Sequence, residues 1–452
     1  MLVELMLCSA QPRRRTRATL AVALAACALP AAANQAPLTL TLKDALALAE
    51  KNDPSVLAAT SDATSSREDS RQAHAALYPS LSGRSEYLGT QGDGKLASGR
   101  FVTNDGVHVY RDWAVLHQDL SPGALSLTAV RRAEAAEALS RAKLEIARRG
   151  LAATVTKNYY ALIVAQRKYA TAQTALDQAR HSLDISQKLE RGREVAHSDV
   201  VRSELQENSQ QQVLQESRLN MENARLDLAV LLFRDFNEDF SLVDDLDAAP
   251  PLPGQQEIEN MAARQNPTIA AAMQALRGAS LDVKIARQAF LPTLTVDAVY
   301  GIEANALALH SAVAAAKDLG PMPNLGYFVT ASLNIPVWDW GLRRSKLKQS
   351  ELKREEAAVD LSAAQRTLVR NLRGMYGEAG VARQQVDLLR HAGDLASENL
   401  RLTTLRYQAG EAAIIDLVDA QTSFVQARNA YDDGMVRYRL AIANLQTLTG
   451  AF

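Results

Sequence analysis

The chain has 452 residues, with 50 Lys plus Arg against 51 Asp plus Glu and a net charge of -1. That balance leaves no basic surplus to displace counterions from a phosphate backbone, which argues against nucleic acid as a partner. Gly and Pro are sparse and aromatic residues make up only 5%, a composition suited to long helices packed through Leu and Ala.

Residues 1–33 read as an export signal. Arg13, Arg14, Arg15 and Arg17 form a basic region, Ala18 to Leu29 an apolar one, and Ala31-Ala32-Ala33 a small-residue cleavage site. The basic region starts late, as it would if translation began downstream of Met1. Both cysteines, Cys8 and Cys27, lie in this leader, so cleavage after Ala33 leaves a mature chain with no disulfide and no cysteine metal site. A second reading stands beside it: Leu24-Ala25-Ala26-Cys27 resembles the box at which bacterial lipoproteins are cut and acylated, making Cys27 a lipidation candidate.

Beyond the leader the chain is written twice. Asn52-Asp53-Pro54-Ser55-Val56 recurs as Gln265-Asn266-Pro267-Thr268-Ile269, and Leu77-Tyr78-Pro79-Ser80-Leu81 as Phe290-Leu291-Pro292-Thr293-Leu294, both 213 residues on. Tyr159, Asp199, Leu228 and Leu231 match Tyr376, Asp416, Leu445 and Leu448 at an offset of 217. Constant offsets imply a duplicated unit: a first repeat over 34–243, a linker over 244–254 and a second repeat over 255–452. Each repeat should hold a helix, a strand pair and a long helical hairpin.

After the leader no apolar run reaches the length of a transmembrane helix, which leaves a closed barrel as the way to cross a membrane. In the second repeat, Leu294, Val296, Ala298, Tyr300 and Ile302 alternate with Thr293, Thr295 and Asp297. Tyr327, Val329, Ala331, Leu333 and Ile335 alternate in the same way with Thr330, Ser332 and Asn334. The first repeat has weaker counterparts near 80–90 and 107–120, with Tyr87, Trp113 and Val115. Loops rich in small residues, 89–106 and 303–326, separate the paired strands. Four strands cannot close alone, since the smallest membrane barrels use about eight. A cyclic homotrimer pooling four from each chain would supply about twelve. The alternative is a small soluble sheet with one wet face.

The remainder is helical. Ala124 to Glu190 and Gly341 to Tyr407 contain no proline, and each approaches about 100 Å at about 1.5 Å per residue. Leu162, Tyr169, Leu176 and Leu183 form one heptad series; Leu417, Phe424, Tyr431, Tyr438 and Leu445 form another, partnered by Ala420, Ala427, Gly434, Ala441 and Leu448. In the first repeat Val200, Leu214, Met221 and Leu228 follow the same spacing, interrupted by Glu207. Such series mean coiled-coil packing of each long helix against a shorter one folding back on it. Gly192 and Gly410 stand at the reversals, where a left-handed C-cap is expected.

Taken together and in order, these motifs resemble the TolC-like outer-membrane efflux family. The resemblance covers nearly everything after the leader. Its carriers are the duplicated Asn-Pro-type helix start, the Tyr-Pro or Leu-Pro entry into the first strand and Ile335-Pro336-Val337-Trp338-Asp339-Trp340-Gly341 between strand and long helix. Arg406-Tyr407-Gln408-Ala409-Gly410 and Asp416-Leu417-Val418-Asp419-Ala420-Gln421 complete the set.

The resemblance implies a fold that is mostly α with a β-barrel part, internally duplicated. It combines a long coiled-coil helical barrel with four transmembrane β-strands per chain, closed only in the trimer. It implies a passive channel in the bacterial outer membrane, in contact with outer-membrane lipid and extending into the periplasm. Its partners would be a periplasmic adaptor (membrane fusion protein) and an inner-membrane pump, and its cargo small molecules or ions. It matches Asp416 and Asp419 to a cation-binding constriction, and Tyr407 and Asp199 to positions that hold the pore shut. It makes Gly192 and Gly410 markers of the adaptor-facing turns, and carries the linker across the middle of the helical barrel. Two departures stand out: Ala412 replaces the Arg of the family pattern, and Gly192 is one residue out of register with Gly410. For Asp416 and Asp419, complementing a helix macrodipole is the competing reading.

The exit duct of a type I protein secretion system and a soluble periplasmic coiled-coil scaffold are the alternatives. No enzyme motif, cofactor loop or metal-ligand spacing is present, and the seven histidines are scattered. Gly92-Asp93-Gly94 followed by Ala97 only faintly resembles a dinucleotide loop.

Overall fold

The computed structural model describes residues 38–89, 108–234, 239–248, 250–304, 307–314 and 321–450. The export segment with Cys8 and Cys27, and the glycine-rich stretch at 92–97, lie outside them. From Thr39 onward the chain forms one unit.

In the first half, β1 (Leu38–Leu40) leads to α1 (Leu42–Asn52) and α2 (Pro54–Ala75), then to strands β2 (Ser80–Gly89) and β3 (His108–Asp119). A short α3 (Pro122–Leu125) precedes α4 (Thr128–Arg191) and α5 (His197–Leu232). After β4 (Phe240–Leu242), which pairs with β1, the plan repeats: α6 (Gln255–Gln265), α7 (Pro267–Gln288), β5 (Thr293–Ala304), β6 (His310–Ala314), β7 (Pro321–Pro323), β8 (Leu325–Asn334), α8 (Leu342–Gln408) and α9 (Ile414–Thr449). The expected long helices thus contain 64 and 67 residues, and each has a 36-residue partner folded back along it. The small-residue loop expected at 303–326 carries its own short hairpin, β6 with β7.

The duplicated Asn-Pro motif turns out to be a joint between helices. Asp53 ends α1 and caps α2, its carboxylate accepting from the amides of Ser55 (2.9 Å) and Val56 (3.0 Å). Pro54 opens α2, where its missing donor is harmless. Asn52 donates from Nδ2 to the Leu232 carbonyl at 2.6 Å, so the end of α5 abuts the start of α2. In the second half Asn266 performs both tasks, accepting from Ile269 N (3.1 Å) and donating to the Leu448 carbonyl at the end of α9. Arg149 of α4 clasps this joint through the carbonyls of Gln265 and Thr447. Two short helices laid end to end therefore match one long helix.

Packing follows the heptads. Leu162, Leu176, Ala172 and Ala179 of α4 are buried, as are Leu417, Ala420, Gly434, Tyr438, Ala441 and Leu445 of α9. At Gly434 the helices come so close that a Cβ would meet Leu389 Cδ1 at 2.5 Å. Glu207, the residue that interrupts the apolar series of α5, reaches Arg180 of α4 at 3.1 Å.

Candidate functional site

The four strands form one antiparallel sheet in the order β2-β3-β5-β8. Register sorts its two faces. Leu81 pairs with Leu116, Leu116 with Ala298 and Ala298 with Val329, and two residues on, Ala114, Tyr300 and Tyr327 share the same face. Tyr327, Val329 and Leu333 are well exposed there. The opposite face is ionic: Arg111 bridges Glu303 (3.0 Å) and Glu86 (3.3 Å), and His117 meets Asp297 at 2.6 Å. Trp113 and Phe328 touch edge to face across Gly301 on that face. A Cβ at Gly301 would run into the Asp112 carbonyl. An apolar outer band backed by a polar inner face is the pattern of a transmembrane barrel wall. Of the first-half residues singled out in sequence, Tyr87 falls on the apolar face and Trp113 and Val115 on the ionic one.

At the far end of the helices lie the two reversals. Gly410 has φ +74°, as a left-handed C-cap requires. Gly192 does not: its φ is -74°, and the left-handed residue is Arg193 at +60°. The correction restores symmetry, because Arg193 is the residue 217 positions before Gly410. Both turns need one residue with positive φ at the same place, and only the second half supplies a glycine for it.

Just above the turns, α4 offers two buried hydroxyls one helical turn apart. Ser186 Oγ lies 2.7 Å from the Tyr407 hydroxyl on α8 and 2.9 Å from Ser203 Oγ on α5. Ser182 Oγ accepts from Gln421 Nε2 of α9 at 3.0 Å. One helix is thereby hydrogen-bonded to all three others. Burial pushes the Tyr407 phenol up in pKa, partly offset by its bond to Ser186 and reinforced by the charge of Asp199. Tyr407 and Asp199 are thus neighbours joined indirectly: Ser203 Oγ, beside Ser186, donates to the Asp199 carbonyl at 3.0 Å.

Asp416 and Asp419 sit on the exposed side of α9, while Leu417 and Ala420 between and beside them are buried. Asp416 accepts from the Ala413 amide at 3.2 Å, so it caps its own helix and keeps lone pairs free. Its counterpart in the first half is Asp199; the counterpart of Asp419 is Arg202. The paired-acid arrangement belongs to the second half alone. Among the described residues no three His, Cys, Asp or Glu side chains converge on a metal position.

The linker holds the molecule at its waist. Arg167 of α4 reaches Asp244 (2.7 Å) and Asp247 (2.8 Å) of the linker and Asp432 (3.0 Å) of α9. Lys168 pairs with Asp433 at 2.7 Å. Tyr159 donates to the Val243 carbonyl at 2.7 Å, and its repeat mate Tyr376 donates to Pro253 O at 3.4 Å. Burial pushes the Tyr159 phenol up to about 12. Arg167 was not apparent in the sequence; the signal for it was three aspartates in one linker, which need a cation.

The family model described as Outer membrane efflux protein matches residues 259–451. The chain is 24% identical to outer membrane protein OprJ of Pseudomonas aeruginosa over 64% of this chain and 54% of that one. It is 22% identical to the cobalt-zinc-cadmium resistance protein CzcC of Cupriavidus metallidurans over 67% and 68%. The CmeC outer membrane channel of Campylobacter jejuni superposes with a TM-score of 0.77 at 18% identity, covering 90% of this chain and 85% of that one. The second half of the chain thus matches the outer membrane efflux protein family. The chain's match spans about half the length of OprJ. The open-state MtrE channel of Neisseria gonorrhoeae has the same fold, with a TM-score of 0.75, 22% identity and coverage of 90% and 88%. The chain therefore has the fold of these outer-membrane channels, strands and long helices included.

Proposed function

We propose that three copies of this chain form a passive exit duct through the outer membrane, fed from the periplasm. The observation that carries this reading is the sheet: one face apolar but for the Ser85–Asp112 bond, the other ionic, and edges β2 and β8 that pair with no further described strand. Exposed edges invite pairing, and a cyclic trimer joins each β8 to the next β2 to make a barrel of about twelve strands. Exposed heptad stripes support the same assembly. Val381, Leu388, Leu395 and Leu402 of α8 are 47%, 71%, 58% and 46% exposed, and Leu205, Leu219 and Leu226 of α5 are also open. A neighbouring chain would cover both.

The duct performs no chemistry. Cargo would arrive from an inner-membrane pump through a periplasmic adaptor docked at the turns near Gly192 and Gly410. The reading of small molecules and ions, ahead of proteins, as cargo is supported by relatives named for metal resistance or pyoverdine export. At the turns, threefold symmetry would bring Asp416 and Asp419 together as six carboxylates, a ring that attracts cations by direct Coulomb force. Tyr407, with Ser186 and Asp199, would hold neighbouring helices in the closed state.

Membrane fractionation and sizing in detergent test the assembly. A trimer extracted from the outer membrane is expected; a soluble monomer would overturn the duct. Arg at Ala298 or Ala331, both on the apolar face, should cost about 2–4 kcal/mol of insertion if near the bilayer midplane. Planar-bilayer recordings test the gate. Asp416→Asn with Asp419→Asn should weaken cation preference and cation block, whereas Tyr407→Phe should raise closed-state conductance without changing ion preference.

A further inference from the structure

Several of the most exposed large apolar side chains gather at one level, where strands give way to helices. In the connection from β8 to α8, Trp340 is 90% exposed, Val337 87% and Trp338 74%. The two indoles meet edge to face at 5.7 Å. Tyr78 and Leu81 at the start of β2, Leu125 in α3 and Leu333 near the end of β8 stand at the same end of the sheet and are exposed as well.

Two features mark this elbow as more than leftover surface. Trp340 has φ +55°, and Leu127, its counterpart before α4, has φ +56°. Bulky residues in the left-handed region are strained and persist only where the surroundings hold them there. Just beyond, α8 begins Leu342-Arg343-Arg344-Ser345-Lys346-Leu347-Lys348, with no acid until Glu351. Arg343 is paired with Asp339 at 3.1 Å; Arg344, Lys346 and Lys348 are exposed and make no ion pair with described residues. Arg344, in the first turn, opposes the helix macrodipole, and Lys346 and Lys348 in the next turn gain nothing from it, so these cations do not serve the helix and suit an anion outside the chain.

Exposed tryptophans beside an apolar band mark a membrane–water interface, and cations beside them attract anionic headgroups. We infer that the β8–α8 elbow is a lipid-binding collar: Trp338 and Trp340 seat in the headgroup zone of the periplasmic leaflet, and Arg344, Lys346 and Lys348 recruit anionic phospholipid there. The inference rests on reading β2, β3, β5 and β8 as barrel wall, because that reading makes the elbow continuous with the lipid-facing band.

The test uses full-length protein carrying Trp113→Phe, so that the other two of the chain's 3 tryptophans report alone. It is reconstituted into phosphatidylcholine vesicles holding equal fractions of either brominated phosphatidylcholine or brominated phosphatidylglycerol, and ion conductance is recorded on the same preparation. Both lipids should quench the indoles, the anionic one at least about twofold more strongly. Combining Arg344→Glu, Lys346→Glu and Lys348→Glu should abolish that preference and leave quenching by phosphatidylcholine intact. Unquenched indoles in a conducting channel would overturn the inference alone, placing the tryptophans against a second copy of the chain. An undiminished preference in the triple variant would overturn the role of the cations. A protein that neither inserts nor conducts would overturn the barrel reading together with the collar.

Discussion

The helices α4 and α8 occupy equivalent places in the two halves and have nearly equal lengths, yet they are buried very differently. Seventeen residues of α4 are buried against six of α8. The former packs chiefly against α1, α2, α5, α7 and α9, the latter against α7 and α9. The inner helix carries Tyr159, Tyr160, Arg167, Ser182 and Ser186, the residues that tie the chain to itself; the outer helix keeps an apolar heptad stripe uncovered. Duplication thus produced one helix that organises the protomer and one whose apolar side is left for a neighbour. The division has a physical origin, since a central helix and a peripheral one cannot bury equal areas within a single chain.

The comparison breaks most directly by cutting each helix's characteristic contact. Tyr159→Ala removes a fully buried ring and its bonds to the linker side, and should cost about 3–5 kcal/mol of protomer stability. Arg167→Ala leaves Asp432, which is 0% exposed, without its ion partner and should cost a similar amount, about 3–5 kcal/mol. Thermal unfolding of the detergent-solubilised protein reads both. A loss under about 1 kcal/mol in either would contradict the role given to α4.

Leu388→Lys and Leu395→Lys on α8 should act on assembly instead, forfeiting about 2 kcal/mol of apolar burial per site in each protomer contact. Sizing is expected to show dissociation or weakened trimers, with helical circular dichroism retained. Unfolded protomers would mean that α8 is not a waiting surface.

The two turns offer a smaller contrast. Gly410→Ala places a side chain at φ +74° and should destabilise by about 1–2 kcal/mol, whereas Arg193→Gly relieves the same strain and should stabilise by up to about 1 kcal/mol. Opposite shifts in unfolding temperature are expected; shifts of the same sign would show that the turns are not equivalent.

The smallest effect concerns pH at the waist. Hydrogen bonding to Arg167 holds the Asp247 carboxyl below its ordinary 3.8, so its stabilisation is present above that value and fades as pH falls through the lower folded value. Burial pushes Asp432 the other way, against the pull of Arg167. Its contribution is therefore greatest in acid and declines as pH rises through its raised value. Hydrogen exchange at the Leu246 amide, which donates to Asp244 at 3.1 Å, corrected for the intrinsic rate, should accelerate below 3.8 as the linker loosens. Protection that is flat across that range would separate Asp247 from linker closure.

Much of the fold was legible because helices and strands advertise themselves by period. Proline-free stretches beside heptad series gave α4, α5, α8 and α9, and alternation gave β5 and β8 outright and β2 and β3 more faintly. What remained hidden depends on contacts remote in sequence. The joint made by Asn52 and Leu232 spans 180 residues, and no local pattern announces it. Glycine is the usual left-handed residue, which points to Gly192 as the C-cap, yet tertiary closure of the turn imposes that conformation on Arg193.

By itself, then, the sequence determined the duplication, the element types, the amphipathic sheet and the position of the paired acids, since each depends on residues that are neighbours along the chain or repeat at constant offset. Tertiary structure alone decided which long helix lies inside, that Arg167 answers three aspartates, and that Tyr407 bonds Ser186 while Asp199 stands beside it. Those outcomes depend on which helix faces come together, and two copies of one pattern cannot both occupy the centre.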